Sequence, residues 1–339
     1  MLNMKGVLKI ALSVFAITFA MQVKAQDAHA LIVEGVKLNN SHNYAGAIEK
    51  YKAAINLEPN NASANYQLAF SLNASRKSKE ALPYLQKVVK SGSSPAVIGS
   101  SYELMGTIYD QSAQPQKAIE SYELGIKADS SSQSLRYNLG LAYFRTHQYA
   151  AAEQSAIAAI QIDPKYASSW RLYALVTFHQ NKRAAALLGF CSFLWFEPTG
   201  ARAQEAYGNL QHILQGGNLK PQPSPPNYSY IEQETYKLNQ TIRQAMFAVS
   251  KRRYVTKADL FTEQLRALFT AIGPIAKERA INSFFKEQAG FYYNLAQSPH
   301  LEAFSHFIRQ SADKTAAAWL QNHQQEVTEL DNWVKLQHK

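Results

Sequence analysis

Small, aromatic and proline residues recur at a spacing near 34 between Ala28 and Gly200, and this beat restricts the chain to an array of like units. One copy reads Gly140, Tyr143, Ala152, Ala159 and Pro164. The same spacing returns as Gly35, Leu38, Ala47, Tyr51, Ala54 and Pro59, as Gly106, Tyr109, Ala118, Tyr122 and Gly125, and as Trp170, Ala174, Ala186, Phe190 and Pro198. A weaker copy, Ala69, Leu72, Ala81, Leu85 and Val88, fills the gap, and the insertion Ser91 to Pro95 delays the next repeat. The spacing has a mechanical reading. A small residue midway along a first helix lets a second, antiparallel helix approach through its own alanine, so Gly35 is expected against Ala47, Gly106 against Ala118 and Gly140 against Ala152. Residues four positions beyond those alanines fill the crevice, and Pro59, Pro164 and Pro198 keep the second helix from continuing.

These residues resemble the tetratricopeptide repeat (TPR) family, whose W-x2-L-G-x2-Y, A-x3-F and P pattern they match well in four of five copies, over about half the chain. The second copy lacks the glycine and the closing proline in register. The resemblance implies an all-α fold: a TPR superhelix of five helix-turn-helix repeats plus a capping helix, then a C-terminal helical bundle. Repeats of this kind bury their apolar face only against neighbours, so the last one needs a terminal helix with a polar outer side, and Ala201 to Leu214 supplies it.

Residues 1–25 have the three parts of a secretory signal peptide: Lys5 and Lys9, the apolar run Ile10 to Met21, and Val23-Lys24-Ala25 before cleavage at Gln26. Only fourteen residues separate Lys9 from Lys24, fewer than the roughly 20 of a spanning helix, which disfavours the alternative of an uncleaved anchor. No cysteine directly follows the small residues at the cleavage site, so a lipid-anchored form is not supported. The expected location is periplasmic or secreted, with no integral membrane segment after cleavage. One cysteine, Cys191, makes no internal disulfide, and its place in the aromatic run Phe190 to Phe196 marks it as a small core residue.

Cleavage removes three lysines and lowers the formal charge from +10 to +7. The remaining charge is spread thinly, with 17 basic and 14 acidic residues over 26–216 and 15 and 11 over 217–339. Nucleic acid needs cations clustered on one face, so no nucleic-acid partner is expected. The dense cluster Lys251-Arg252-Arg253 with Lys257 stands at an expected helix end, where cations complement the helix dipole.

The array is taken as residues 26–216, a Pro-rich linker as 217–228, with prolines at 221, 223, 225 and 226, and a C-terminal helical domain as 229–339. Past Tyr230 the repeat is lost but helical periodicity stays, in Leu238, Ile242, Ala245 and Val249, in Phe261, Leu265, Leu268 and Ile272, and in Ile281, Phe284, Phe285, Tyr292 and Leu295. Thr256 with Asp259 forms a capping-box pattern, and Pro274 and Pro299 suit first helical turns. Four or five helices are expected, as a separate bundle or leaning on the array; the proline linker favours a distinct unit. The layout, with the stretch Pro299 to Phe304, resembles uncharacterised secreted tetratricopeptide proteins of Gram-negative bacteria, which brings no activity with it.

Catalytic and metal signatures are missing: no His-Glu-x-x-His, no Cys-x-x-Cys, no Gly-x-Ser-x-Gly and no phosphate-cradling glycine loop. Ser311-Ala312-Asp313-Lys314 fits Ser-x-x-Lys, but Ser311 as a helix cap accounts for it better. His300 and His306 with Glu302 would stand on opposite sides of a helix. No catalytic residue, no metal site and no cofactor are expected. Asn61, Asn73, Asn227 and Asn239 fit a glycan-acceptor pattern where the host uses one.

What remains is the inner wall of first-helix positions not used in repeat packing: Asn39, Asn40, Tyr66, Phe70, Asn73, Asp110, Tyr137, Leu141, Phe144, Arg145, Arg171, Phe178 and His179. Aromatic platforms beside Asn and Arg suit an extended peptide: rings cover apolar side chains, amides bond its backbone and guanidinium groups hold a carboxylate. The alternative is that some of these rings pack within or between repeats. The asparagine and lysine pattern by which chaperone-binding relatives clamp a terminal carboxylate is not reproduced. The expected function is a non-enzymatic adaptor or scaffold in the cell envelope that binds a protein or peptide partner. The alternatives are an envelope hydrolase active in the C-terminal domain, or a structural protein that self-associates as a homo-oligomer.

Overall fold

The computed structural model describes residues 26–215, 230–254, 256–278 and 282–337. The expected signal peptide, the proline linker and Ile281 lie outside the described residues. Every regular element among them is helical: α1 (residues 26–40), then α2 (Tyr44–Leu57), α3 (Ala62–Ala74), α4 (Ser78–Val89), α5 (Pro95–Gln111), α6 (Pro115–Ala128), α7 (Gln133–Arg145), α8 (Tyr149–Ile162), α9 (Ala167–His179) and α10 (Arg183–Phe196). These are five helix-turn-helix hairpins in chain order. They are followed by α11 (Ala201–Leu214), α12 (Tyr230–Ser250), α13 (Lys257–Glu278), α14 (Ser283–Gln297), α15 (Leu301–Arg309), α16 (Lys314–Asn322) and α17 (Gln324–Gln337). None of the described helices is long and apolar enough to cross a membrane.

One backbone device repeats in every hairpin. His42, Arg76, Ala113, His147 and Asn181 end the first helix with φ between 55 and 63°, in the left-handed region. The next residue donates its N–H to a carbonyl five back: Asn43 to Leu38, Lys77 to Leu72, Gln114 to Tyr109, Gln148 to Tyr143 and Lys182 to Thr177, at 2.8–2.9 Å. This is a Schellman closure. It is built without glycine at any of the five sites.

The chain divides into two compact units, Met1–Ala142 and Tyr143–Lys339. In the first unit Ala47, Tyr51, Leu68, Leu72, Leu85 and Ile108 are buried in a continuous core between first and second helices. Two glycines of the repeat, Gly35 and Gly106, meet rings. A Cβ at Gly35 would lie 2.5 Å from the Tyr51 ring, and one at Gly106 would lie 2.5 Å from the Tyr122 ring. Thus the atoms nearest each glycine belong to the aromatic four residues beyond the expected alanine. Hairpin ends are closed by Pro59 after α2, and by Asp129 after α6, whose carboxylate accepts from Ser131 N–H at 3.0 Å and Ser131 O–H at 2.6 Å.

The second unit is organised around α10. Every residue from Arg183 to Leu194 is buried, so α10 is apolar on all sides, as a helix covered on all sides must be. It packs on α9 and α11, and also on α12, α14 and α15. The Tyr292 hydroxyl lies 2.8 Å from Ser192 Oγ, Trp195 stacks on Phe304 and meets Phe307 at a tilt, and Phe284 meets Trp170 and Tyr173 of α9. Asn239 donates to the Asn181 carbonyl at 2.7 Å and accepts from the Arg183 N–H at 3.2 Å, joining α12 to the turn before α10. Cys191 is wholly buried here, and burial pushes its thiol up, away from reactivity.

The C-terminal helices follow their sequence periodicity, with Leu238, Ile242, Val249, Phe261, Leu265, Leu268 and Ile272 all buried. The expected capping box is present. Thr256 N–H donates to the Asp259 carboxylate at 3.0 Å, and Asp259 N–H to Thr256 Oγ1 at 3.1 Å. Three expectations fail. Pro299 precedes His300, the N-cap of α15, instead of falling in a first helical turn. Pro274 lies inside α13 rather than in a first turn, because Gly273 packs closely beneath Tyr293 and that contact carries the helix through the proline. Ser311 is not a cap: α16 is capped by Asp313, whose carboxylate accepts from Thr315 N–H at 2.8 Å, while Ser311 Oγ is buried without a partner.

Candidate functional site

The first-helix positions three residues before each repeat's small residue carry the clearest constellation. In the first unit they are Tyr66 on α3, Glu103 on α5 and Tyr137 on α7, all half-buried. Glu103 is the centre. Ser134 Oγ donates to its carboxylate at 2.8 Å and Asn138 Nδ2 at 2.9 Å, both from the next first helix. Burial raises the Glu103 carboxyl above its ordinary range, against the lowering effect of those two hydrogen bonds. Its charge in turn helps burial to raise the Tyr66 phenol. This carboxylate is held by two neutral donors and makes no ion pair among the described residues; the Tyr66 phenol senses its charge, and Phe70, 42% exposed, stands one turn along α3 from Tyr66.

Other expected residues hold the array together as well as facing out. Asn39 accepts from the Ser71 hydroxyl at 2.9 Å, tying α1 to α3, and Asn73 accepts from Ser78 at 2.8 Å, bridging the turn into α4. Asn40 is exposed and Leu141 half-buried.

In the second unit Phe144, Tyr149 and His179 form one cluster, with Tyr149 stacked on His179 at 5.4 Å and 12° and Phe144 at 5.2 Å from the same imidazole. Phe178 packs between Phe190 and His212, so part of its ring serves repeat packing. Arg145 is exposed. Arg171, expected to hold a ligand carboxylate, instead binds Glu205 at 2.7 Å, one repeat further on. Behind this face the buried Glu153 accepts from Gln180 at 2.8 Å and from Lys182, beside a cavity of about 20 Å³ where α8, α9, α10, α12 and α14 meet, room for about one water.

Glu103, Ser134 and Asn138 escaped the sequence reading. Counted from Gly106 rather than at a constant 34, Glu103 falls in register with Tyr66 and Tyr137; the insertion at 91–95 shifts it by three.

The strongly displaced imidazole of the C-terminal helices is His306, held down at about 4 by burial and then by the Arg309 guanidinium. It stacks flat on Trp319 at 4.3 Å, and Trp319 stacks on His323 at 4.0 Å. Its Nδ1 lies 2.9 Å from Arg309. This ring is a packing element in contact with buried groups rather than the wall of a reaction cavity. Among the described residues no group of three or more His, Cys, Asp or Glu is placed to hold a metal ion.

Comparison with known proteins agrees with this architecture. Residues 41–73 match the family described as TPR repeat, and residues 104–167 match that described as Tetratricopeptide repeat. The chain therefore carries tetratricopeptide repeats. No curated protein matches it. Among solved structures, it is similar to YrrB, a TPR protein with an unusual peptide-binding site, at 19% identity over 56% of this chain and 97% of that one, TM-score 0.46. It is similar to pilF of Pseudomonas aeruginosa at 16% identity, over 59% and 95%, TM-score 0.48. A tetratricopeptide repeat protein from Parabacteroides merdae ATCC 43184 covers more, at 17% identity over 84% of this chain and 99% of that one, TM-score 0.46.

Proposed function

We propose that the chain is a non-enzymatic adaptor that holds an extended polypeptide on the first-helix face of α3, α5 and α7, and that it acts in the cell envelope after export. The observation that carries this reading is the half-buried Glu103 carboxylate, held by neutral donors alone among the described residues, with Tyr66 and the exposed Phe70 on the neighbouring α3. Rings cover apolar side chains of a bound segment, and the carboxylate accepts from its backbone N–H groups or from a lysine or arginine side chain. The partner is thus a peptide that carries a cation near an apolar residue. Residues 1–25, with their basic, apolar and small-residue parts, support export to the periplasm or beyond.

The test is affinity capture by the chain from 26 to 339 out of envelope extract, repeated with Glu103→Gln, with Phe70→Ala, and with Glu120→Ala on the solvent side of α6. A partner retained by the wild type and by Glu120→Ala, and lost from the other two, supports the reading. A set of partners indifferent to Glu103 and Phe70 overturns it. Recovery of a preprotein of undiminished length from the cytoplasm would sink the envelope location separately.

A further inference from the structure

Helix α12 has two unlike faces. Leu238, Ile242, Met246 and Val249 are buried, while Tyr236, Arg243, Phe247 and Lys251 form an outward stripe at helical spacing. Phe247 is 63% exposed, more than any other large apolar side chain among the described residues, and Lys251 Nζ sits 4.6 Å over its ring.

Beside it the end of α11, the second half of α12 and the start of α13 enclose a cleft of about 550 Å³, within the size range of small-molecule sites, about 300–1,000 Å³. Its floor is apolar: Leu214, Met246, Val249 and Leu260. Its mouth carries Arg243 and Arg252, with the rings of Phe247 and Tyr254, and no carboxylate lines it. Arg252 approaches Glu263 only to 3.9 Å and stays 67% exposed. Arg243 makes no ion pair among the described residues. The charge it senses is another cation, the buried Arg183, whose pKa is lowered by burial and then by Arg243. The dipole of α12 accounts for the cations just past its C-terminus, at 251–253, but not for Arg243 two turns earlier or for the cleft.

The geometry points to a binding site for an anionic amphiphile, a single-chain carboxylate whose head lies between Arg243 and Arg252 and whose chain covers Leu214, Met246, Val249 and Leu260. The anion accepts from the guanidinium groups, and the chain covers the exposed ring of Phe247 and the half-buried Leu260. This site is independent of the peptide face on α3, α5 and α7.

Isothermal titration of the chain from 26 to 339 with sodium dodecanoate below its micelle concentration is the direct test. Dodecyltrimethylammonium serves as the charge-reversed probe and dodecyl maltoside as the neutral one. Saturable binding of dodecanoate is expected, at least about ten-fold tighter than either control, and Arg243→Glu and Met246→Trp should each weaken it about ten-fold or more. Arg243 is exposed, so its variant decides the matter if the Trp substitution disturbs folding. Equal binding of the three amphiphiles, or full affinity in Arg243→Glu, overturns the site. So does association with phosphatidylglycerol vesicles, or with a polyglutamate peptide, in the absence of any dodecanoate binding, because the stripe then serves a bilayer or an acidic protein.

Discussion

Helices α6 and α10 stand at the same point of the repeat, two repeats apart, and have opposite surroundings. In α6 only Ala118, Ile119, Ser121, Tyr122 and Gly125 are buried, and Gln116, Glu120, Glu123 and Lys127 face water. The corresponding positions of α10 are Ala184, Leu188, Cys191 and Trp195, three of them buried and Trp195 packed on Phe304 and Phe307. The inner face is the same in both, because repeat packing demands it. The outer face records what covers the helix: solvent for α6, and α12, α14 and α15 for α10. A repeat therefore fixes about half of a second helix, and its neighbours write the rest.

The comparison breaks most readily at its centre. Leu188→Ala in α10 should cost about 3 kcal/mol, the range of a buried leucine truncation, whereas Glu120→Ala at the matching place in α6 should move stability by less than about 0.5 kcal/mol. Urea denaturation of both variants measures it, and a cost for Glu120→Ala equal to that of Leu188→Ala would erase the distinction.

Acid should reach the cover of α10 by a route α6 lacks. His306 lies on α15, which packs on α10, and its imidazole titrates near 4 when folded against 6.5 in the free side chain. The folded state resists a proton that the unfolded chain accepts. The contribution is therefore full above pH 6.5 and is lost as pH falls toward 4. At 1.36 kcal/mol per pH unit the loss is about 3 kcal/mol. Melting curves from pH 7 to 4 should show the fall, and His306→Phe, which keeps the stack on Trp319, should flatten it. A slope unchanged in that variant places the acid sensitivity elsewhere.

The smallest effect distinguishes the turns. Ala113 enters α6 with φ at 55° and nothing but backbone bonds, so Ala113→Gly should gain up to about 1 kcal/mol by relieving left-handed strain. Asn181 enters α10 in the same conformation, but its side chain accepts from Arg183 Nε at 3.2 Å and its carbonyl is held by Asn239. Asn181→Gly should gain nothing or lose. A shift in denaturation midpoint without a change in slope reads both.

What the sequence disclosed follows the same division. The hairpins, the capping helix Ala201–Leu214 and the Thr256–Asp259 box were legible because each rests on contacts within a few dozen residues. Ser311 and Pro274 were misplaced for the converse reason: a neighbouring aspartate captured the cap, and Tyr293 across the interface held the helix through proline. The covering of α10 stood in plain view in Arg183 to Phe196, a helix apolar all round, but the partner that requires it lies about 100 residues on, as the Ser192–Tyr292 hydrogen bond shows. The candidate site was half legible. Tyr66, Phe70 and Tyr137 came from register; Glu103, three residues before Gly106, stands in the same register but was not among the residues chosen. Arg171 looked free until its pairing with Glu205 was known.

The sheathing of α10 also decides where this protein tolerates growth. An additional hairpin spliced between Val89 and Pro95, inside the first unit, would meet neighbours of its own kind on both sides, and copy number there is open to change. The same hairpin placed after Phe196 would need to reproduce Leu188, Ser192 and Trp195 to hold α12, α14 and α15, or strand those helices without a surface to dock on. Lengthening by duplication is thus confined to the amino-terminal side, and the carboxyl-terminal helices act as a fixed terminus for the count.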